Sequence, residues 1–196
     1  MSLSKLRLLG RVAAIGGLCW VVFAVTAVLT SDAESTRPVL STMTDYVGFG
    51  LFALCLALAV PALLALHLHQ RGADGRLGRA GAFLAMAGAA AQCIVISGIV
   101  VNGEETSWFG VAAPIAILTW VVGSVVLGTA IRRARLMPRW VGIALPVATL
   151  FAIVGADYGT SVFIGAFQIV VGLRIAGAAE AGTPASGTLR RADARA

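Results

Sequence analysis

The sequence predicts an all-α membrane protein: six transmembrane helices in three antiparallel hairpins, with the N-terminus and C-terminus both cytoplasmic. Three observations carry this. Only 12% of the 196 residues are charged and 59% are hydrophobic, whereas a soluble domain usually carries about 25% charged residues. Six long apolar runs succeed one another along the chain. The fifteen basic residues gather on alternate connections, so that nearly all of them fall on one side of a membrane.

The runs cover about residues 10–30, 46–67, 80–101, 108–131, 138–154 and 159–178. Apart from Arg11, Arg139 and Arg174 near run ends, none holds an Asp, Glu, Lys or Arg. A helix rises 1.5 Å per residue, so about 20 residues cross a hydrocarbon layer of about 30 Å. Lipid offers no hydrogen bonds, so the backbone must satisfy itself, and a helix does so locally.

The first run follows basic residues and precedes "SDAE", a pattern like a signal peptide cleaved at Ala33. Its apolar core of about 18 residues exceeds the 7 to 15 of a signal peptide, which predicts a retained helix. The second, fourth and fifth runs contain Pro61, Pro114 and Pro146, which should kink them. The third is rich in small residues, with Gly81, Ala85 and Gly88 near one face, and the fourth carries the pair Ser124 and Gly128. Such positions let helix backbones approach closely. The fifth run is the shortest, and "GADYGTS" after it reads as a turn into the sixth; one long helix through both is the alternative. Residues 1–179 thus form the bundle. Residues 180–196, rich in Gly, Ala, Pro and Arg, are expected to be a disordered basic tail.

Charge sets the orientation. With the N-terminus inside, fourteen of the fifteen basic residues share the cytoplasmic face and only Arg37 lies opposite, a strong positive-inside pattern. Arg11, Arg79, Arg132, Arg133, Arg135 and Arg139 with Trp140 become inner anchors, and Trp108 an outer one. The net charge of +6 then describes contact with anionic lipid headgroups and not with nucleic acid. The starts "LGRVAAIGG", "LGRAGAFLA" and "MPRWVGIAL" look alike; a repeat of hairpins is conceivable, but a basic anchor followed by small residues suits any helix that starts inside.

The residue inventory excludes much chemistry. His67 and His69 are the only histidines; two positions apart is about 200° of rotation, so they point apart and are not expected to share a metal within the subunit; they are expected to reach headgroups, the alternative being that one senses cytoplasmic pH. Retinal would need a lysine deep in a helix, and the only lysine is Lys5. No acid or base lies inside the runs to mark a proton path. Ser97 and Ser124 have no histidine base at their depth. Cys19, Cys55 and Cys93 sit singly in three runs, without a CxxC pair. Neither a catalytic residue, a metal nor a cofactor is therefore expected. One constellation remains: Gln92, Thr119, Gln168 and Cys93 fall near mid-depth and are a candidate polar lining for a cavity. The plainer role is hydrogen bonding between helices, because a glutamine amide in hydrocarbon needs a partner.

At "RRARLMPRWVGIALP" the sequence resembles uncharacterised six-helix bacterial integral membrane proteins, in which a Pro-Arg-Trp-x-Gly stretch opens the fifth helix after a short basic loop. Here that stretch is Pro138, Arg139, Trp140, Val141 and Gly142. The resemblance implies a compact bundle in a bacterial inner membrane and supplies no catalytic residues. The expected function is non-enzymatic: a small-molecule or lipid-handling permease, or an accessory subunit that packs on another membrane protein or on its own copies. An intramembrane enzyme acting on a lipid or isoprenoid, and a sensor signalling through the tail, are the alternatives.

Overall fold

The computed structural model describes residues 3–30, 40, 42–105, 107–154 and 158–181. No strand occurs among them. Six helices make up the fold: α1 (Leu3–Thr30), α2 (Met43–Gln70), α3 (Gly75–Asn102), α4 (Phe109–Ala134), α5 (Arg139–Val154) and α6 (Val162–Glu180). Five are long and apolar enough to cross a membrane. The fifth in order, α5, has 16 residues and is about 24 Å long, shorter than a full hydrocarbon layer.

Most helices outrun the apolar stretches that announce them. α1 begins at Leu3, not near Gly10, so Lys5, Arg7 and Arg11 are helical. α2 begins at Met43 and continues through His67 and His69 to Gln70. Hydropathy marks only the part that suits hydrocarbon, while a helix continues until something caps it. At the start of α2 that is a capping box: Asp45 N–H donates to Thr42 Oγ1 (3.2 Å) and Thr42 N–H donates to Asp45 Oδ2 (2.8 Å), which satisfies two otherwise orphaned donors. The fifth and sixth runs form two helices packed against each other, with a turn at Tyr158–Ser161 between them; a single long helix is not formed. The tail beyond Ala181, the acids Asp32, Glu34 and Asp157, and Arg37 lie outside the described residues.

Each helix packs on the next, and α6 packs on α1, which closes the bundle into a ring; α2 also touches α6. The two broadest contacts are α3 with α4 and α1 with α6. In both, glycines let backbone approach backbone. Across α3–α4, Gly88 faces Trp120 and Gly123 faces Ala85: a Cβ on either glycine would stand 2.6 Å from the opposing Cα. Across α1–α6, Gly10 faces Gly172 and Gly17 faces Gly165, and each added Cβ would stand 2.5 to 2.8 Å from the opposing carbonyl oxygen. These pairs run antiparallel, and the seven-residue spacing of the glycines returns the same bare helix face every two turns. Where the hydrophobic effect is absent, such close approach is the main source of helix association.

The α4–α5 contact uses the same device with a further cause. Pro146 cannot donate to the carbonyl four residues earlier, that of Gly142. This carbonyl turns instead against Gly128, where a Cβ would collide with it and would also come 3.3 Å from Pro146 Cδ. Gly142 in turn is faced by the Gly128 carbonyl. In the middle of the ring, Trp20 of α1 and Trp120 of α4 are both fully buried, with ring centroids 6.4 Å apart. Phe52 of α2 joins Trp20 edge-on at 5.7 Å and stacks on Phe23 at 4.9 Å. At one end of the bundle Glu180 accepts from Arg11 (3.0 Å) and lies 3.8 Å from Arg7, tying α6 to α1. The outer surface is apolar on every helix, as with Leu18, Val22 and Val25 of α1 and Val111, Ile115 and Leu118 of α4. Lipid contact requires such a surface and water would penalise it.

Candidate functional site

A cavity opens inside the ring between α1, α2, α4, α5 and α6. Its wall is Ala13, then Ala59, Ala62, Leu63 and Leu66, then Trp120, then Leu145 and Thr149, then Ile164, Phe167, Gln168 and Val171. Its volume is about 20 Å³, room for roughly one water molecule. The centre is therefore narrow as the helices stand. Both Pro61 and Pro146 adjoin the wall, next to Ala62 and Leu145. A proline at these points removes a backbone hydrogen bond and favours a bend in the helix.

The wall carries no charged residue, and besides the indole N–H of Trp120 its polar side chains are Gln168 and Thr149. Thr149 is fully buried and settled: its hydroxyl donates to the Leu145 carbonyl (2.9 Å) and lies 3.2 Å from Ser124 Oγ of α4. Gln168 is different. It is 6% exposed, and its Oε1 has no hydrogen-bond partner. That oxygen hangs over α1 beside Gly16, where a Cβ would come within 3.2 Å of it. Leaving a buried amide oxygen without a partner costs roughly 1–3 kcal/mol.

The other mid-depth residues are placed apart from it. Thr119 lies in an outward groove between α3 and α4, with Ala87, Ala91, Ala112 and Trp108, and its hydroxyl returns a hydrogen bond to Ile115 of its own helix. Cys93 of α3 donates to the Ala53 carbonyl of α2 at 3.4 Å. Gln92 is buried on α3 with its Oε1 unpartnered, and α3 packs on α2 and α4. Of the four, Gln168 alone lines the interior cavity. Trp20 and Trp120 were not singled out by sequence: tryptophan in an apolar run reads as an interfacial anchor, and only the ring's closure puts these two at its centre. Trp20 Nε1 is a further buried donor without a partner.

The anchors are exposed: Arg11, Arg79, Arg132, Arg133, Arg135 and Arg139 lie at the surface, with Trp108 and Trp140 also outward, Trp140 edge-on to Phe167 at 6.4 Å. The histidines are both partly exposed with their Nδ1 atoms buried, and His67 Nδ1 stands 2.8 Å from Asp74 Oδ2. The signal for this lay in the chain: a histidine three residues before the end of a helix and an aspartate four residues beyond it, with Gly72 between them to fold the turn. Among the described residues no group of three or more His, Cys, Asp or Glu could hold a metal ion. Comparison of the chain with protein-family models, with curated proteins and with solved structures finds no match.

Proposed function

We propose that the protein is a multi-pass permease of a bacterial inner membrane, with both termini cytoplasmic and three hairpins opening toward that face. It binds one small, uncharged, largely apolar molecule in the interior cavity and releases it on the other side. The observation that carries this is Gln168, a buried amide with an unmet hydrogen-bonding atom in an apolar wall whose other polar side chains are one self-satisfied threonine and the indole of Trp120. A charged ligand would meet no counter-charge in that wall and would face a large desolvation penalty; a neutral molecule with a single hydroxyl, carbonyl or amide would meet one partner. The narrowness of the cavity fits a closed state. Opening would separate the α1–α6 pair from the α3–α4 pair, each locked by backbone contact, with the proline-bent α2 and α5 flexing between them. The arginine-rich face would hold the bundle against anionic headgroups.

The test is native mass spectrometry of the protein released from nanodiscs, wild type beside Gln168→Leu. Leucine fills the same space without the amide, so the expected result is a correctly folded variant that has lost a co-purifying small molecule. Equal retention by both proteins would refute Gln168 as its handle. A second protein present in stoichiometric amount, with no small molecule in either sample, would favour an accessory subunit instead.

A further inference from the structure

The ring of helices is not equally tight all the way round. Of the six neighbour contacts that close it, α5 with α6 is the least extensive. The glycines account for part of the difference. Gly142 of α5 faces α4, and Gly165 and Gly172 of α6 face α1, so no bare backbone surfaces meet between α5 and α6. α5 is also the shortest helix, with 16 residues, and Pro146 removes a hydrogen bond from its middle.

Side chains close this seam instead. Beside the turn, the Thr160 hydroxyl donates to the Phe151 carbonyl, and the rings of Phe151 and Phe163 lie 5.0 Å apart. At the other end, Trp140 of α5 meets Phe167 of α6 edge-on at 6.4 Å. The two helices are thus joined by the chain and a hydrogen bond at one end, and by an aromatic pair at the other.

That pair stands between the cavity and the outer surface. Phe167 lines the cavity and is 8% exposed, whereas Trp140, packed against it, is 41% exposed. Leu145 and Thr149 of α5 line the cavity on one side of the seam, and Ile164, Gln168 and Val171 of α6 on the other. Outside, the same two helices present carbon: Val147 and Leu150 of α5, Val170 and Leu173 of α6, all exposed. A passage here joins the cavity to hydrocarbon and not to water. Parting the α1–α6 or α3–α4 seam means moving whole helices, because backbone meets backbone there. Parting α5 from α6 begins with the turning of two rings, and side-chain rotations are far faster than helix shifts.

We propose that the seam between α5 and α6 is a lateral portal, closed by Phe167 against Trp140, through which the ligand of the cavity enters from the hydrocarbon layer. This narrows the ligand to a neutral molecule that dissolves in the bilayer, with a slender apolar body and one polar group for Gln168. Sugars and ions dissolved in water have no route through it. The ligand as cargo rests on the permease reading above; the portal, as a path from lipid to cavity, does not.

Trp120 lines the cavity and is 1% exposed, so its fluorescence reports what reaches the interior. The chain has four tryptophans, and Trp20→Phe, Trp108→Phe and Trp140→Phe together leave Trp120 alone while keeping an aromatic ring at position 140. In bilayers, its quenching is compared for lipids brominated along the acyl chain and for aqueous iodide. Deleting a large side chain leaves a gap because its surroundings relax only in part, so Phe167→Ala is expected to raise bromolipid quenching about two-fold or more and to leave iodide quenching unchanged. Leu63→Ala enlarges the same cavity from α2 without touching the seam, and is expected to change neither. No gain in Phe167→Ala, a gain with iodide alone, or an equal gain in Leu63→Ala would each overturn the portal. Should Phe167→Ala fail to fold, Trp140→Ala removes the exposed half of the pair and decides in its place. If bromolipid reaches Trp120 as expected but Gln168→Leu keeps the same co-purifying molecules as the wild type, the permease reading fails and the portal stands.

Discussion

Replacing Gly88 with alanine adds one methyl group to the α3–α4 seam, and the structure says where it lands. The new Cβ would stand 2.6 Å from Trp120 Cα and 2.7 Å from Trp120 Cβ. Ordinary carbon–carbon contact is about 3.5–4.0 Å, so the helices must part locally by about 1 Å. Neither atom can swing away, since both belong to or adjoin the α4 backbone. Overpacking a close-fitted core costs typically 1–3 kcal/mol, and the backbone location puts this case in the upper half of that range. Gly110→Ala is the matched control on α4: nothing lies within 4 Å of its added Cβ, and alanine is the better helix former. The two variants can be compared by SDS titration in mixed micelles, with unfolding followed by tryptophan fluorescence. Gly88→Ala is expected to be less stable than Gly110→Ala by about 2 kcal/mol, a factor of roughly 30 in the unfolding equilibrium. Stabilities within about 0.5 kcal/mol of each other would refute the claim that backbone contact holds this pair, and with it the rigid-pair view of how the bundle opens.

Two smaller effects follow from the same structure. Thr149→Val removes the hydroxyl shared with Ser124 while keeping the shape, and should cost about 0.6 kcal/mol and no more than about 1.7 in the same micelle titration; a loss above 3 kcal/mol would mean the hydroxyl has a role beyond this pair. Glu180→Gln breaks the exposed contact with Arg7 and Arg11, and exposed ion pairs are worth about 0–1 kcal/mol and are screened by salt. Its stability is expected to converge on that of the wild type at high ionic strength, and a deficit that survives 1 M salt would show that the contact does more than clip α6 to α1.

Composition and the apolar runs were enough to determine the helical class and the number of apolar helices, though not where each helix begins and ends. The reason is that hydrocarbon imposes one rule on every residue of a span: few charges and a self-satisfied backbone. The small residues Gly81, Ala85, Gly88, Ser124 and Gly128 could likewise be read as packing positions, because close approach needs small side chains wherever it occurs. What the sequence could not say is which helix each of them meets. Gln92, Thr119 and Gln168 share a depth, but depth is a coordinate along a helix, and partnership depends on its rotation and its neighbours. Closure of the ring by α6 against α1 turns Gln168 inward, while Thr119 on α4 faces an outward groove. The same is true of Trp20 and Trp120, a hundred residues apart in number and in contact at the centre. His67 and Asp74 are close in sequence, yet their burial follows from a turn and a missing side chain at Gly78, which no periodicity encodes. Lipid selects the elements from the sequence one at a time; only the tertiary packing decides which polar groups are left without partners, because that depends on each helix's rotation and neighbours.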